Sequence, residues 1–275
     1  MGKVDKYNKE VLDTLLIDIK SRSSNLEFPT FSSIDELIYG LRRKRLYIIG
    51  GRPGAFKTSF LLNLTLKYVL DKKKVLYLSL EMAKESILER TISIYNGINS
   101  KDLAINSLDE NDYKKIEEYF TIIKNTEFWL YDNIGKSLLE VRAVVKQHSP
   151  DICIVDFIQM IGIDLYKYEE RLIIQEYTRE MVRIAKESNI VMMVASQINR
   201  APMERKDKRP CLSDLKSSGS LEENSDCVLA LHYPYHYSSK AKKGELEVMV
   251  LKNRYGDLGT SLLGVIPEKS IIYSI

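Results

Sequence analysis

The chain predicts an α/β fold with a mainly parallel central sheet, helices on both faces and antiparallel strands added at its C-terminal edge. Three observations lead there. Apolar runs of strand length alternate with helix-periodic segments between residues 46 and 195. A glycine-rich turn, Gly50-Gly51-Arg52-Pro53-Gly54-Ala55-Phe56-Lys57-Thr58, joins the first of these strands to a helix. Beyond residue 226, strand-like runs follow one another with no helix between them.

Taken in order, Val11, Leu12, Leu15, Leu16 and Ile19 mark one face of an amphipathic helix over residues 5–21, and a polar break follows at 21–25. Such a helix either folds back on its own core or, set off by a tether, docks on a neighbouring subunit. Residues 1–25 therefore read as a linker helix and tether, and 26–275 as one large domain. The strand at 46–49 leads through the glycine-rich turn into a helix over 60–70. A strand at 75–80, a helix at 83–95 and strands at 128–131 and 151–155 come next, then a helix at 169–188 and a strand at 190–195. Two helix starts carry capping-box spacing, Ser107 with Glu110 and Ser137 with Glu140. The last runs, 227–231, 246–251, 261–266 and 271–273, favour antiparallel additions at one sheet edge. The main loops fall at 162–168, 199–220 and 234–244.

Composition bounds the function classes. At 275 residues the chain can bury a substantial core, and a formal charge of +3 is too mild to indicate a polyanionic partner by itself. Cys153 and Cys227 lie in strand-like runs and Cys211 in a polar loop, without the spacing of a disulfide frame or zinc site, so reduced thiols in the cytosol are expected. No apolar stretch approaches the roughly 18 residues of a membrane span, and residues 1–10 are polar and charged rather than a signal sequence. A soluble cytoplasmic protein is the expectation. His232 and His236 are four apart, but Pro234 breaks the helix that would put both on one face, so they read as a surface hairpin rather than a metal site.

The glycine-rich turn follows the pattern G-x-x-x-x-G-K-[ST] except at one position. Gly51 is the first glycine, Lys57 would reach the β- and γ-phosphates, and the Thr58 hydroxyl would bind Mg²⁺. Strand, loop and helix in this order let backbone N–H groups and a helix N-terminus face a phosphate chain, with Gly51, Arg52, Pro53, Gly54, Ala55, Phe56, Lys57, Thr58 and Ser59 forming the nucleotide cradle. Phe56 occupies the second glycine's place. If the backbone there is left-handed, a bulky residue is strained by about 1 to 3 kcal/mol and its ring must turn away from the phosphates. The turn alone leaves open an ordinary Gly/Pro turn before a helix.

A phosphate-loop enzyme needs a carboxylate near the metal, and Asp156 ends the apolar strand 151–155 where parallel-sheet sites form. Glu81 stands just past the strand 75–80, the place for a carboxylate that orients or deprotonates an attacking water. Each also has a purely structural reading, as a solubilising strand end and as a charge complementing a helix dipole. The segment 200–216 is locally basic through Arg200, Arg205, Lys206, Lys208, Arg209 and Lys216, diluted by Glu204, Asp207 and Asp214. Its sharper feature is Lys216-Ser217-Ser218-Gly219, whose short side chains and glycine let N–H groups approach phosphates while Lys216 neutralises charge. Few aromatic residues interleave the basic ones, so sequence preference should be weak.

Several of these stretches resemble, in order, motifs of the DnaB-type replicative helicase motor domain. They are Ser79-Leu80-Glu81-Met82, residues 151–160 ending in Asp156-Phe157-Ile158-Gln159-Met160, and Ala195-Ser196-Gln197-Ile198-Asn199-Arg200. Residues 208–220, containing Lys216-Ser217-Ser218-Gly219, and Leu251-Lys252-Asn253-Arg254-Tyr255-Gly256-Asp257-Leu258-Gly259-Thr260 continue the series. The resemblance runs from Phe28-Pro29-Thr30 nearly to the C-terminus and implies a RecA-like ATPase fold.

It further implies that Glu81 is the catalytic glutamate, Asp156 the Mg²⁺-associated carboxylate, and Gln197 the sensor of the γ-phosphate. Lys252 and Arg254 resemble the basic finger inserted into a neighbouring subunit's ATP site; read alone, they are two cations on one solvated strand face. Lys216, Ser217, Ser218 and Gly219 resemble the pore loop that holds single-stranded DNA. The implied protein is a homo-oligomer, a hexamer, that uses ATP and Mg²⁺, travels 5′ to 3′ and works with a helicase loader or primase. It resembles a stand-alone or truncated version without the helical N-terminal domain, keeping only the linker helix. Phe56 and Ser217 depart from the family's usual residues. Alternatives are a non-hydrolysing helicase-like assembly partner or loader, and a RecA-, RadA- or KaiC-like ATPase that does not unwind.

Overall fold

The computed structural model describes residues 26–133, 137–158, 170–215, 218–238 and 240–275; the helix expected at 5–21 and the loop at 162–168 lie outside them. Its strands are β1 (Arg45–Gly51), β2 (Val75–Ser79), β3 (Phe128–Tyr131), β4 (Ile152–Asp156), β5 (Val191–Gln197), β6 (Cys227–His232), β7 (Glu245–Asn253), β8 (Gly259–Ile266) and β9 (Ile271–Ser274). The helices are α1 (Ser32–Ile38), α2 (Lys57–Leu70), α3 (Lys84–Asn96), α4 (Ser100–Ala104), α5 (Glu110–Lys124), α6 (Leu138–His148), α7 (Glu170–Glu187) and α8 (Ser218–Asn224). One nine-stranded sheet has the order β3-β2-β4-β5-β1-β6-β7-β8-β9.

Alternation explains how the sheet buries both faces. Tyr47 and Ile49, Tyr77, Ile154 and Met193 join one core with Phe60, Leu61 and Leu64 of α2. Their neighbours Leu46 and Ile48, Leu76 and Leu78, Val155 and Met192 join the other, against Val141 and Val145 of α6 and Met181 and Ile184 of α7. Strands covered on both sides read as the continuous apolar runs seen in the sequence.

β1 pairs in parallel with β5, from Arg45↔Val191 to Gly51↔Gln197, and with β6, from Tyr47↔Cys227 to Gly51↔Leu231. Only β7, β8 and β9 run antiparallel. The first of the four C-terminal runs therefore extends the parallel sheet. The reason is the connection: residues 198–224, including α8, carry the chain back to the start of β1, where the Asp226 N–H donates to the Leu46 carbonyl at 2.9 Å.

The Ser137 cap forms, its hydroxyl accepting from the Glu140 N–H at 3.3 Å. The Ser107 cap does not. α5 begins at Glu110 under a capping box of Asp109 and Asp112, with the Asp112 N–H donating to Asp109 at 2.8 Å. A carboxylate there complements the helix dipole, and the Ser107 N–H is already used in closing the turn after α4 on the Asp102 carbonyl at 2.8 Å.

Candidate active site

The carboxyl ends of β1, β2 and β4 open on a cavity of about 780 Å³ whose lining includes Pro53, Gly54, Phe56, Lys57, Thr58 and Ser59. Glu81 and Asp156 line the same space. This is where the crossover topology leaves a crevice beyond the strand ends. Sequence position and fold thus bring the turn and both carboxylates together. Gly51 pairs with Gln197 at the end of β1, so Gln197 stands beside the turn rather than in the cavity lining. Ala55 is buried, and Arg52 turns away to donate to the Ile198 and Asn199 carbonyls, at 3.3 Å each.

Lys57, the first residue of α2, donates from Nζ to the Gly51 carbonyl at 2.8 Å and the Arg52 carbonyl at 3.3 Å, closing the turn on itself. Burial lowers its pKa, opposed by the nearby Asp156 and Glu81 carboxylates. A phosphate chain would add further countercharge.

Asp156 is 5 % exposed, and a residue outside the expected site set holds it. The Tyr77 hydroxyl on β2 donates to Asp156 Oδ2 at 2.8 Å. Burial and the adjacent carboxylate raise the Tyr77 pKa well above its ordinary value, so the phenol keeps its proton and remains a donor. Tyr77 faces inward at a strand position that reads only as core. The Leu80 N–H donates to the Asp156 carbonyl at 2.7 Å and the Ser79 hydroxyl to the Met82 carbonyl at 2.6 Å, a turn that carries Glu81 at the end of β2 beside Asp156.

Phe56 has φ 61 and ψ 26, the left-handed conformation anticipated for a glycine. A side chain there costs on the order of 1 to 3 kcal/mol. The ring packs edge-on against Tyr233, with centroids 5.0 Å apart.

Thr58 and Asp156 suit Mg²⁺, which keeps several waters and takes one or two protein oxygens together with substrate phosphates. No cluster of three or more His, Cys, Asp or Glu side chains able to cage a metal occurs among the described residues. His232 stacks on Tyr237 at 5.1 Å and His236 lies beside Phe56 at 6.5 Å, within the β6–β7 hairpin.

Lys252 and Arg254 are not in this cavity. Lys252 pairs with Val228, which pairs with Ile48, roughly 10 Å along the strand from Gly51 and toward the opposite end of the sheet. Its ammonium donates to the Glu222 carbonyl and, at 2.7 Å, to the Ser225 carbonyl, while Arg254 donates to the Glu223 carbonyl at 2.6 Å. Carbonyls at the end of α8 are suited to cations. Burial and the neighbouring Arg254 lower the Lys252 pKa, opposed by Asp226 and Glu222.

The basic segment after β5 is less cationic than its sequence suggests. Arg205 pairs with Asp214 at 2.5 Å and Arg209 with Glu247 at 2.6 Å. Burial opposes ionisation of Asp214, but the Cys211 N–H and the Arg205 guanidinium outweigh it and hold its carboxyl below the usual aspartate range. The loop is pinched shut where the Asn199 N–H donates to the Asp214 carbonyl at 2.8 Å and Ile198 bridges Leu215. Lys216 and Ser217 lie outside the described residues, whereas Ser218 and Gly219 open α8. The pinch touches the glycine-rich turn: a Cβ on Gly50 would meet Leu215 Cδ2 at 2.9 Å, and the Ile198 N–H donates to the Gly51 carbonyl at 3.2 Å.

Strand order and the position of the turn define a RecA-like ATPase-domain fold. The chain belongs to the DnaB-like helicase C-terminal domain family, whose model matches residues 29–270. It is 34% identical to a probable plasmid replicative DNA helicase of Chlamydia psittaci, over 85% of this chain and 52% of that protein. Among solved structures, the ATPase domain of G40P superposes with a TM-score of 0.91 at 28% identity, covering 98% of this chain and all of that one. A DnaB-like replicative helicase studied for its interactions with primase gives 0.87 at 28% identity, covering 98% of this chain and 67% of that one. The chain spans about half the length of the curated relatives it matches.

Proposed function

We propose that this chain is the motor of an ATP-driven, ring-forming DNA helicase that moves along single-stranded DNA during replication. The observation carrying this reading is the division of the catalytic set. The phosphate turn, Glu81 and Asp156 share one cavity, whereas Lys252 and Arg254 face away near the opposite end of the sheet. A transferring phosphoryl group needs added positive charge, so each site would borrow it from an adjacent copy, and hydrolysis would depend on assembly.

In this reading Gly51 to Ser59 bind the nucleotide phosphates, Lys57 neutralises the β- and γ-oxygens, and Thr58 and Asp156 hold Mg²⁺, which would screen phosphate charge. Glu81 orients the attacking water and accepts its proton. Gln197, paired with Gly51, senses the terminal phosphate. The contacts from Gly50 and Gly51 to Leu215 and Ile198 pass that state to Lys216, Ser217, Ser218 and Gly219, which grip the DNA backbone. A cytoplasmic hexamer, with residues 1–25 as the linker to the next subunit and a loader or primase as partner, completes the proposal. No helix among the described residues is long and apolar enough to cross a membrane.

The test is strand separation on a forked duplex. ATP-dependent unwinding supports the motor; DNA-stimulated hydrolysis without unwinding would favour a RecA-like ATPase, and neither would favour an assembly partner. Lys216→Ala should weaken single-stranded DNA binding and reduce the slope of log affinity against log salt by about 0.7 for each lost contact. An unchanged slope in a salt titration would move the DNA site elsewhere.

A further inference from the structure

We propose that Tyr233 and His236, on the hairpin between β6 and β7, are positioning residues that brace Phe56 in its left-handed conformation and thereby set nucleotide affinity from outside the phosphate turn. The inference rests on reading the cavity as a nucleotide site. It begins with two left-handed positions in the turn, Gly54 at φ 80 and Phe56 at φ 61. Glycine takes that conformation freely; phenylalanine holds it only where its surroundings over-determine the backbone.

The surroundings are two rings. Phe56 meets Tyr233 edge-on at 5.0 Å and 86°, and lies near-parallel to His236 at 6.5 Å and 25°. Tyr233 and His236 are themselves edge-to-face at 4.8 Å and 89°. These offset and perpendicular arrangements are the ones aromatic quadrupoles favour. His236 also reaches the other left-handed position, since a Cβ built on Gly54 would lie 3.0 Å from its Cε1. One imidazole therefore abuts both.

The brace has a rigid footing. Tyr233 is 2 % exposed, and its hydroxyl accepts from the Gly244 N–H at 3.1 Å, which ties the two ends of the hairpin together. The turn is closed by the His236 N–H on the Tyr233 carbonyl at 3.2 Å and the Tyr237 N–H on the Pro234 carbonyl at 2.9 Å. His232 and Tyr237 stack beneath it at an interplanar angle of 7°. Rings held this way fix the aim of the turn's N–H groups, and small misplacements of a phosphate cradle lower affinity steeply.

The experiment uses the full chain with a fluorescent ADP analogue, steady-state ATPase and a thermal melt. Phe56→Ala keeps the Cβ but loses the ring, whereas Phe56→Gly removes the strain and the need for a brace. Phe56→Ala should bind about tenfold more weakly than Phe56→Gly. His236 is exposed, so His236→Ala should fold normally and bind nucleotide more weakly by about threefold or more, raising KM more than it lowers kcat. Combined with Phe56→Gly, it should bind as Phe56→Gly alone does. Equal effects of His236→Ala in both backgrounds, or no effect in either, would overturn the brace. Lys57→Ala run alongside separates the two claims: retained binding there sinks the nucleotide site itself, while lost binding without coupling sinks only the brace.

Discussion

Replacing Lys57 with alanine is expected to lower ATP affinity by about a hundredfold or more and to remove hydrolysis. Charge-assisted hydrogen bonds contribute roughly 1.5 to 3 kcal/mol each, and an ammonium reaching two phosphates loses both, for about 10² to 10⁴ in affinity. Two observations set the size of the effect. Lys57 Nζ is held at the turn by the Gly51 and Arg52 carbonyls, at 2.8 and 3.3 Å, so its removal also frees the turn that aims the N–H groups. Burial already lowers its pKa, and such a cation gains more from an incoming polyphosphate than a solvated one would. Calorimetric titration with ATP and Mg²⁺, alongside a thermal melt, checks this. Normal affinity or turnover in the variant would reject the phosphate turn as the binding site.

The residues of this cavity were legible because each follows or closes an apolar run: the turn that leads to Lys57 leaves β1, Glu81 comes after β2 and Asp156 closes β4. Parallel strands buried on both faces announce their ends plainly, and their ends are where such sites form. What the sequence concealed depends on pairing between distant positions. Tyr77 reads as core, and only the register Tyr77↔Ile154 brings its hydroxyl to Asp156. Arg209 reads as a free cation until β7 brings Glu247 to it. β6 looks like the start of an antiparallel edge because the return of the chain through residues 198–224 leaves little periodicity to read. Ser107 had the spacing of a cap, but Asp109 supplied a charged acceptor at a better place. Phe56 was visible as an anomaly, whereas the rings against it come from residues far along the chain.

Arg254→Ala and Glu81→Ala should each lose hydrolysis by about 10³ or more while still binding ATP, yet recover activity when mixed. The reasoning is geometric. Arg254 follows the end of β7, whose Asn253 pairs with Cys227 at the start of β6, while the glycine-rich turn leaves β1 beyond Gly51, opposite Leu231. The intervening strand length is roughly 13 Å, and the guanidinium is directed to the Glu223 carbonyl and to Asp226 at 3.6 Å, so it serves no step in its own cavity. It is nonetheless 45 % exposed, which leaves it free to reach a neighbour's phosphates. In a head-to-tail ring assembled at random from equal amounts of the two variants, about a quarter of the interfaces join an intact Glu81 site to an intact Arg254. ATPase activity of the mixture should therefore rise toward about a quarter of the unmodified rate if interfaces fire independently, and well below it if they fire in sequence. A thermal melt of Arg254→Ala controls for the loss of its contacts to the end of α8. Activity no greater than the sum of the separate variants, in a mixture shown by mass measurement to form mixed rings, would mean that the cation does not act across the interface.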